Sequence, residues 1–111
     1  MDIIVENRTT YFYVEPQGRI DTLTAPLLEQ SLQDDLTNGA VYVIDFKSVP
    51  YISSAGMRVI MVAAKKSSVA KGKLLLCGMN SVVKNIFELS GFDKILNICE
   101  DFAGAEKVLA E

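Results

Sequence analysis

The sequence predicts an α/β fold in one domain over residues 1–111, with a mixed, mostly parallel sheet of about five strands and about four helices. A length of 111 residues fits a single domain, and 50% hydrophobic with 23% charged residues is typical of a globular chain. Two short apolar runs without alternation, Val41–Ile44 and Leu74–Cys77, are typical of strands buried on both faces. Each run follows a segment of helical periodicity, which indicates parallel strands joined by helices.

The N-terminal residues predict an antiparallel hairpin. Ile3–Glu6 and Tyr11–Glu15 are rich in β-forming residues, and the polar residues 7–10 between them form a connection of hairpin length. Pro16-Gln17-Gly18 is expected to end the second strand, because proline cannot donate a hydrogen bond to a sheet.

The first helix is expected to begin after Thr22 or Thr24, either of which can cap it. Pro26 is tolerated because it lies in the first turn. Four residues at helical spacing are predicted to form its buried stripe: Ala25, Leu28, Leu32 and Leu36. The pair Asn38-Gly39 supplies a left-handed residue of the kind that commonly ends a helix.

The remaining elements continue the alternation of strands and helices. The second helix is predicted from about Ser54 to Ala70, ending at Lys71-Gly72, and is apolar on more than one face. The third helix is capped by Asn80 or Ser81 and ends at Ser90-Gly91, and its apolar residues are Val82, Val83, Ile86, Phe87 and Leu89. Leu96–Cys99 is predicted as a last short strand, followed by a helix that starts at Asp101.

The composition argues against catalysis, cofactors and metals. The chain has no histidine, which removes the usual triads and the common zinc and haem ligand sets. Its seven glycines form neither a dinucleotide fingerprint nor a phosphate loop. Asp21 and Asp45, each near the end of a predicted element, are the one candidate acid–base pair, and we expect both to order loops.

Charge and hydropathy restrict the partners. Residues 1–50 carry a net charge of −5 and residues 51–111 of +2, which argues against nucleic acid. The basic residues Lys65, Lys66, Lys71 and Lys73 are expected to form a solvated helix end. The longest apolar stretch, Val59–Ala64, is too short to span a membrane, and residues 1–6 do not read as a secretory signal. The expected compartment is therefore the cytoplasm. Cys77 and Cys99 lie in apolar runs and are expected to be buried free thiols.

The segment Tyr51–Arg58 is the candidate functional site. Ser53 or Ser54 is placed to cap the second helix by accepting a hydrogen bond from an unpaired backbone N–H. The same helix start favours an anion, so a phosphate on a serine there would change the surface charge without unfolding the domain. The sequence thus predicts either a simple cap or a phosphorylation switch.

Several segments in order resemble a bacterial STAS domain of the anti-sigma factor antagonist type. They are Gly18-Arg19-Ile20-Asp21, Asp45-Phe46, Tyr51–Arg58, Ser81-Val82-Val83 and Phe87–Gly91. The resemblance implies that Ser54 is the phosphate acceptor, with Ser53 as second choice, and that Asp21 lies beside it. It also implies a partner-binding surface made of Asp21, Ser53, Ser54, Ala55, Gly56, Met57 and Arg58.

The same resemblance implies a function in partner switching. The unphosphorylated protein would bind an anti-sigma factor that is also a serine kinase with a histidine-kinase-like ATPase fold, releasing a sigma factor or another client. A PP2C-type phosphatase would restore the binding form, and the chain would be a substrate and not an enzyme. Two alternatives remain: a STAS subunit of a lipid-exporting ABC transport complex that is not phosphorylated, or a small-molecule or nucleotide-binding module.

Overall fold

The computed structural model describes residues 1–36 and 38–110, with the side chains of residues 33–36 outside the description. The predicted buried position of Leu36 therefore lies outside the described side chains. Strands and helices alternate after an initial hairpin. Their bounds are β1 Asp2–Asn7, β2 Phe12–Gln17, α1 Ala25–Leu36, β3 Val41–Asp45, α2 Ser54–Val69, β4 Lys73–Cys77, α3 Ser81–Ser90, a 3₁₀ turn Phe92–Lys94, β5 Asn97–Ile98 and α4 Phe102–Ala110.

The five strands form one sheet in the order β1-β2-β3-β4-β5. β1 pairs antiparallel with β2, as a hairpin requires, and every later pair is parallel. The register of β3 on β4 places Val43 beside Leu75, so the two predicted apolar runs are neighbours at the centre of the sheet. The predicted mixed, mostly parallel sheet with four helices is confirmed.

Both faces of the sheet are covered, which explains why β3 and β4 lack alternation. On one face, α1, α2 and α3 pack into a core that contains Leu28, Ile60 and Phe87. On the other face, α4 packs Ala105 against Val43, with Leu75 and Cys77 in the same cluster. Successive residues of each central strand point to opposite faces, so every residue of the run is apolar.

Local signals placed the ends of α3 correctly. Asn80 caps the helix, its Oδ1 accepting a hydrogen bond from the N–H of Val83 at 2.8 Å. Gly91 follows the last turn with a φ of 78°, the left-handed conformation expected of a terminal glycine. Only Val83 and Phe87 among the predicted apolar residues of α3 are buried, whereas Leu89 is 80% exposed.

Two predicted boundaries differ in the structure. β2 continues through Pro16 to Gln17, because its parallel pairing with β3 ends at Val14 and Pro16 lies beyond that ladder. β5 is reduced to residues 97–98. α2 ends at Val69, close to the predicted Ala70, and the left-handed residue that follows it is Lys71, with a φ of 62°.

Gly72 instead allows a close approach of two backbone segments. A Cβ at this position would lie 2.5 Å from the carbonyl oxygen of Ala40. Cys77 and Cys99 are free thiols, with Cys77 buried and Cys99 half-buried. Among the described residues, no helix has the length and apolar character needed to cross a bilayer.

Candidate functional site

The start of α2 is held against the loop that follows β2. Ile20 and Ile52 form an isolated parallel bridge, in which the N–H of Ile20 donates to the carbonyl of Tyr51 at 3.0 Å. The N–H of Ser53 in turn donates to the carbonyl of Ile20 at 2.8 Å. These bonds bring the loop that carries Asp21 beside the first residues of α2.

The two candidate serines have different environments. Ser53 is the N-cap of α2, and its Oγ accepts a hydrogen bond from the N–H of Gly56 at 3.4 Å. Ser54 is the first helical residue and is exposed to solvent. A capping hydroxyl is engaged with the backbone, whereas the hydroxyl of Ser54 faces solvent at a helix end that favours anions.

Asp21 orders its own loop. Its Oδ1 accepts hydrogen bonds from the N–H of Thr24 at 3.1 Å, from the N–H of Leu23 at 3.0 Å and from the Thr24 hydroxyl at 3.2 Å. The backbone bond from Thr24, with the other donors, holds the pKa of Asp21 below its usual range. The carboxylate therefore stays ionised and keeps the loop beside α2 in one conformation.

Ala55, Gly56 and Met57 fix the position of the helix start. Gly56 is buried, and a Cβ there would lie 2.5 Å from Cγ2 of Ile20 and 2.7 Å from Cγ1 of Ile52. Only a residue without a side chain allows the first turn of α2 to pack this closely on the bridge. Ala55 is half-buried and Met57 is 6% exposed. These three residues pack the start of α2 against the core, and Ser54 and Arg58 remain exposed at the surface.

An open groove of about 690 Å³ begins at Ser54 and runs between α2 and α3. We call it the α2–α3 groove. It contains Met57 and Arg58 of the predicted site. Its other lining residues are Tyr51, Ile52, Met61, Ile86, Leu89, Ser90 and Phe92.

Four lining residues of the groove were not predicted to belong to the site: Met61, Ile86, Leu89 and Phe92. Apolar residues on a helix ordinarily indicate the core, and their spacing gives no sign of which ones line a surface groove. Leu89 carries the one available signal, because it lies off the stripe defined by Val83 and Phe87.

Asp45, the other residue of the proposed acid–base pair, lies at the end of β3 in a buried polar cluster. Its Oδ2 accepts a hydrogen bond from the Tyr13 hydroxyl at 2.8 Å, and its Oδ1 accepts one from the N–H of Lys47 at 3.0 Å. The Tyr13 hydroxyl also lies 2.8 Å from Oε1 of Glu15. Asp45 and Asp21 thus have different partners, and each orders its own loop as expected.

The polar cluster shifts the ionisation of its members. Burial, together with the neighbouring carboxylates of Asp45 and Glu15, raises the pKa of Tyr13 above its ordinary value. Burial opposes ionisation of Glu15, but hydrogen bonds from Tyr13, Gln17 and Ser48 outweigh it and hold the pKa of Glu15 below its usual range. Within the described part of the chain, no group of three or more histidine, cysteine or acidic residues is placed to hold a metal ion.

The hairpin, the mixed sheet and the serine-capped helix together define a small α/β domain with a polar surface next to an apolar groove. The chain belongs to the STAS domain family, whose model matches residues 2–105. BtrV of Bordetella bronchiseptica, named as a candidate anti-sigma factor antagonist, is 36% identical over 83 residues, which are 74% of this chain and 72% of that protein. The anti-sigma-B factor antagonist of Listeria monocytogenes is 30% identical over 96 residues, covering 86% of this chain and 84% of the relative.

Solved structures share the fold over nearly the whole chain. A candidate anti-sigma factor antagonist of Thermotoga maritima superposes with a TM-score of 0.90 at 19% identity, covering 98% of this chain and 95% of that one. The unphosphorylated form of the anti-sigma factor antagonist SpoIIAA superposes with a TM-score of 0.80 at 14% identity, covering 99% and 98%. A phosphorylated form of SpoIIAA from Bacillus has also been solved, with a TM-score of 0.74 at 14% identity over 96% and 99%. At these identities the likeness establishes the fold alone.

Proposed function

We propose that this chain is an anti-sigma factor antagonist that works as a phosphorylation-controlled binding switch in the cytoplasm. In its unphosphorylated form it binds an anti-sigma factor, and the sigma factor or another client is released. Relatives at 30% and 36% identity bear the name of anti-sigma factor antagonist, one of them as a candidate, and this supports the proposal. The chain acts by binding and is itself a substrate, so it is not an enzyme.

The observation that carries the proposal is the different environment of Ser53 and Ser54. The Ser53 hydroxyl accepts a hydrogen bond from the backbone N–H of Gly56 at the start of α2, whereas Ser54, one residue later, is exposed. A phosphate on Ser54 leaves the cap in place and lies near the positive end of the helix dipole. The domain therefore stays folded in both states, which a reversible switch requires.

The partner is an anti-sigma factor that is also a serine kinase with a histidine-kinase-like ATPase fold. In the forward step the Ser54 Oγ attacks the γ-phosphorus of ATP, the bond to the β-phosphate oxygen breaks, ADP leaves and the hydroxyl proton is released. A PP2C-type phosphatase hydrolyses the ester with water and returns the hydroxyl and inorganic phosphate. The phosphate adds a charge of about −1.5 to −2, which opposes the interface by desolvation and by repulsion from acidic groups.

The proposal is tested by intact mass and binding with purified serine kinases of this ATPase fold from the same genome. The wild type and a Ser54→Ala variant are incubated with each kinase and Mg-ATP. We expect one phosphate on the wild type, none on Ser54→Ala, and at least a tenfold loss of kinase affinity on phosphorylation, about 1.4 kcal/mol.

Two matched controls each remove one hydroxyl. Ser53→Ala removes the hydroxyl that caps α2, and Ser68→Ala removes one from the exposed surface of α2. Both should still gain one phosphate, although Ser53→Ala loses the cap and about 1 kcal/mol of stability. A phosphate that persists in Ser54→Ala and is lost in Ser53→Ala would move the switch to Ser53. Binding that is unaffected by phosphorylation, or a chain that is neither bound nor modified, would contradict the proposal.

A further inference from the structure

Arg58 is the charged residue that lines the α2–α3 groove. The chain as a whole carries a net charge of −3, so a positive charge in an otherwise apolar groove departs from the average surface. A second cation, the Arg19 guanidinium, stacks at 4.7 Å on the ring of Tyr51, which lines the groove, and Arg19 also interacts with the Asp21 carboxylate. At Arg58 the groove is therefore complementary to an acidic ligand.

Ser54 and Arg58 are four residues apart on α2, and both line the groove. Residues at this spacing are neighbours on the helix surface, with Cβ atoms roughly 5–6 Å apart. Side chains of a helix lean toward its N-terminus, so the natural direction of the Arg58 side chain is toward Ser54. Arg58 is exposed and has no ion pair among the described residues, so its guanidinium is available to either of two acidic ligands.

We propose that Arg58 detects the phosphorylation state of Ser54. When Ser54 is unmodified, Arg58 pairs with an acidic residue on an amphipathic helix of the partner that lies in the α2–α3 groove. When Ser54 carries a phosphate, Arg58 pairs with the phosphate and is lost to the partner. The inference rests on the proposed function for its partner, and it names the chemistry by which that partner is held and released.

The groove fits a helix with an apolar face and an acidic edge. Met57 and Met61 of α2 face Ile86 and Phe92 across it, which gives apolar contacts along a groove between two helices. Leu89 lies on its edge and is 80% exposed, so a bound helix that covers it removes a large apolar side chain from water. The positive charge of Arg58 selects an acidic residue on the bound helix.

Competition for Arg58 adds to the direct effect of the phosphate. An arginine guanidinium pairs strongly with a phosphate dianion through charge-assisted hydrogen bonds. The phosphate and its arginine are on the same helix, so their pairing needs no movement of the fold. The partner's carboxylate then lies beside an arginine that is already paired and beside the phosphate on Ser54, so its attraction to this end of the groove is lost.

The first test requires no partner. Phosphoserine is incorporated at position 54 during translation, and the second ionisation of the phosphate is followed by ³¹P NMR. Arg58 stabilises the dianion, so an Arg58→Gln substitution should raise the pKa of the phosphate by about 0.3. Lys66→Gln, with the same charge change about 18 Å along the same helix, should leave it unchanged. The same phosphate pKa in the Arg58→Gln protein and in the protein that keeps Arg58 would overturn the proposal.

The second test measures the affinity of the kinase that modifies Ser54, with unmodified and phosphoserine proteins. Arg58→Gln and Leu89→Ala should each weaken binding of the unmodified protein about tenfold, whereas Lys66→Gln and Val69→Ala should not. Val69 is a fair control because it is an apolar residue of α2 that is 78% exposed outside the groove. Arg58→Gln should also reduce the affinity ratio between the two forms.

The two proposals fail in distinguishable ways. If no kinase binds, the proposed function fails, and the phosphate titration still decides whether Arg58 pairs with a phosphate on Ser54. If a kinase binds and is released by phosphorylation but the ratio is the same in Arg58→Gln, the switch stands and the role of Arg58 is refuted. If Leu89→Ala binds as tightly as wild type, the helix does not lie in the groove.

Discussion

Replacing Tyr13 by phenylalanine removes the hydroxyl at the centre of the buried polar cluster. Tyr13 is 4% exposed, and its oxygen lies 2.8 Å from a carboxylate oxygen of both Glu15 and Asp45, which are 6% and 2% exposed. A hydroxyl has one hydrogen, so it donates to one carboxylate at a time. The substitution leaves the buried carboxylate oxygens without this donor.

The expected cost follows from the charge of the acceptors. A hydrogen bond to a charged group contributes about 1.5–3 kcal/mol, and the ring contacts with Phe102 at 5.1 Å and Arg8 at 4.6 Å are kept by phenylalanine. We therefore expect Tyr13→Phe to lose about 2 kcal/mol of unfolding free energy. For a chain of this length that is roughly 8 °C in Tm.

The assay is urea unfolding followed by circular dichroism at pH 7. Tyr51→Phe is the matched control, because Tyr51 is only half-buried and its ring, not its hydroxyl, is the part that contacts Arg19. We expect it to change stability by less than about 0.5 kcal/mol. In a double variant with Asp45→Asn, the two losses should fall short of additivity by more than about 0.5 kcal/mol, since Asp45→Asn removes the charge that strengthens the bond deleted by Tyr13→Phe. A Tyr13→Phe variant as stable as wild type would refute this account of the cluster.

Two further predictions concern packing and pH. Gly56→Ala should destabilise the domain by about 1–2 kcal/mol, since overpacking against Ile20 and Ile52 exceeds the gain in helix propensity. Gly104→Ala is its control, because it occupies the same third position of α4 with its nearest contact at 3.3 Å, and equal losses in urea unfolding would argue against the clash. Because folding lowers the pKa of Glu15, this residue stabilises the folded state above about pH 4.3, and the stabilisation is lost as pH falls through the folded pKa. Because folding raises the pKa of Tyr13, this residue stabilises the folded state below about pH 10, and the stabilisation is lost as pH rises further. Unfolding free energies across the pH range should show both losses, with Glu15→Gln removing part of the acid loss and Tyr13→Phe part of the alkaline one; variants with the wild-type profile would contradict the assignment.

Local signals in the sequence were enough to predict most of the fold. The cap at Asn80 and the left-handed Gly91 depend on a few consecutive residues, so the ends of α3 were predictable. The runs Val41–Ile44 and Leu74–Cys77 predicted central strands, because burial on both faces leaves no polar residue in the pattern. The start of α2 was likewise predictable, because a serine pair before an apolar helix is a start signal, whereas the functional role of Tyr51–Arg58 stays a prediction.

The α2–α3 groove and the buried polar cluster could not be predicted from the sequence in the same way. The bond from Tyr13 to Asp45 spans 32 residues and depends on the parallel register of β2 and β3. The α2–α3 groove depends on how two helices pack together. Apolar residues on these helices have the same spacing whether they face the core or line the groove, so the sequence does not distinguish the two groups. Leu89 and Phe87 are chemically similar, yet one is 80% exposed and the other fully buried.

The sequence by itself determined the order of the elements, the family and the pair of serines at the start of α2, because these depend on residue type and short-range spacing. The tertiary structure decided which serine is the cap. Ser53 and Ser54 are equivalent by composition, and only the bond from the Ser53 N–H to Ile20 and the packing of Gly56 on the bridge fix which hydroxyl turns inward. The same contacts leave Ser54 exposed beside Arg58, because long-range packing sets the orientation of a helix start.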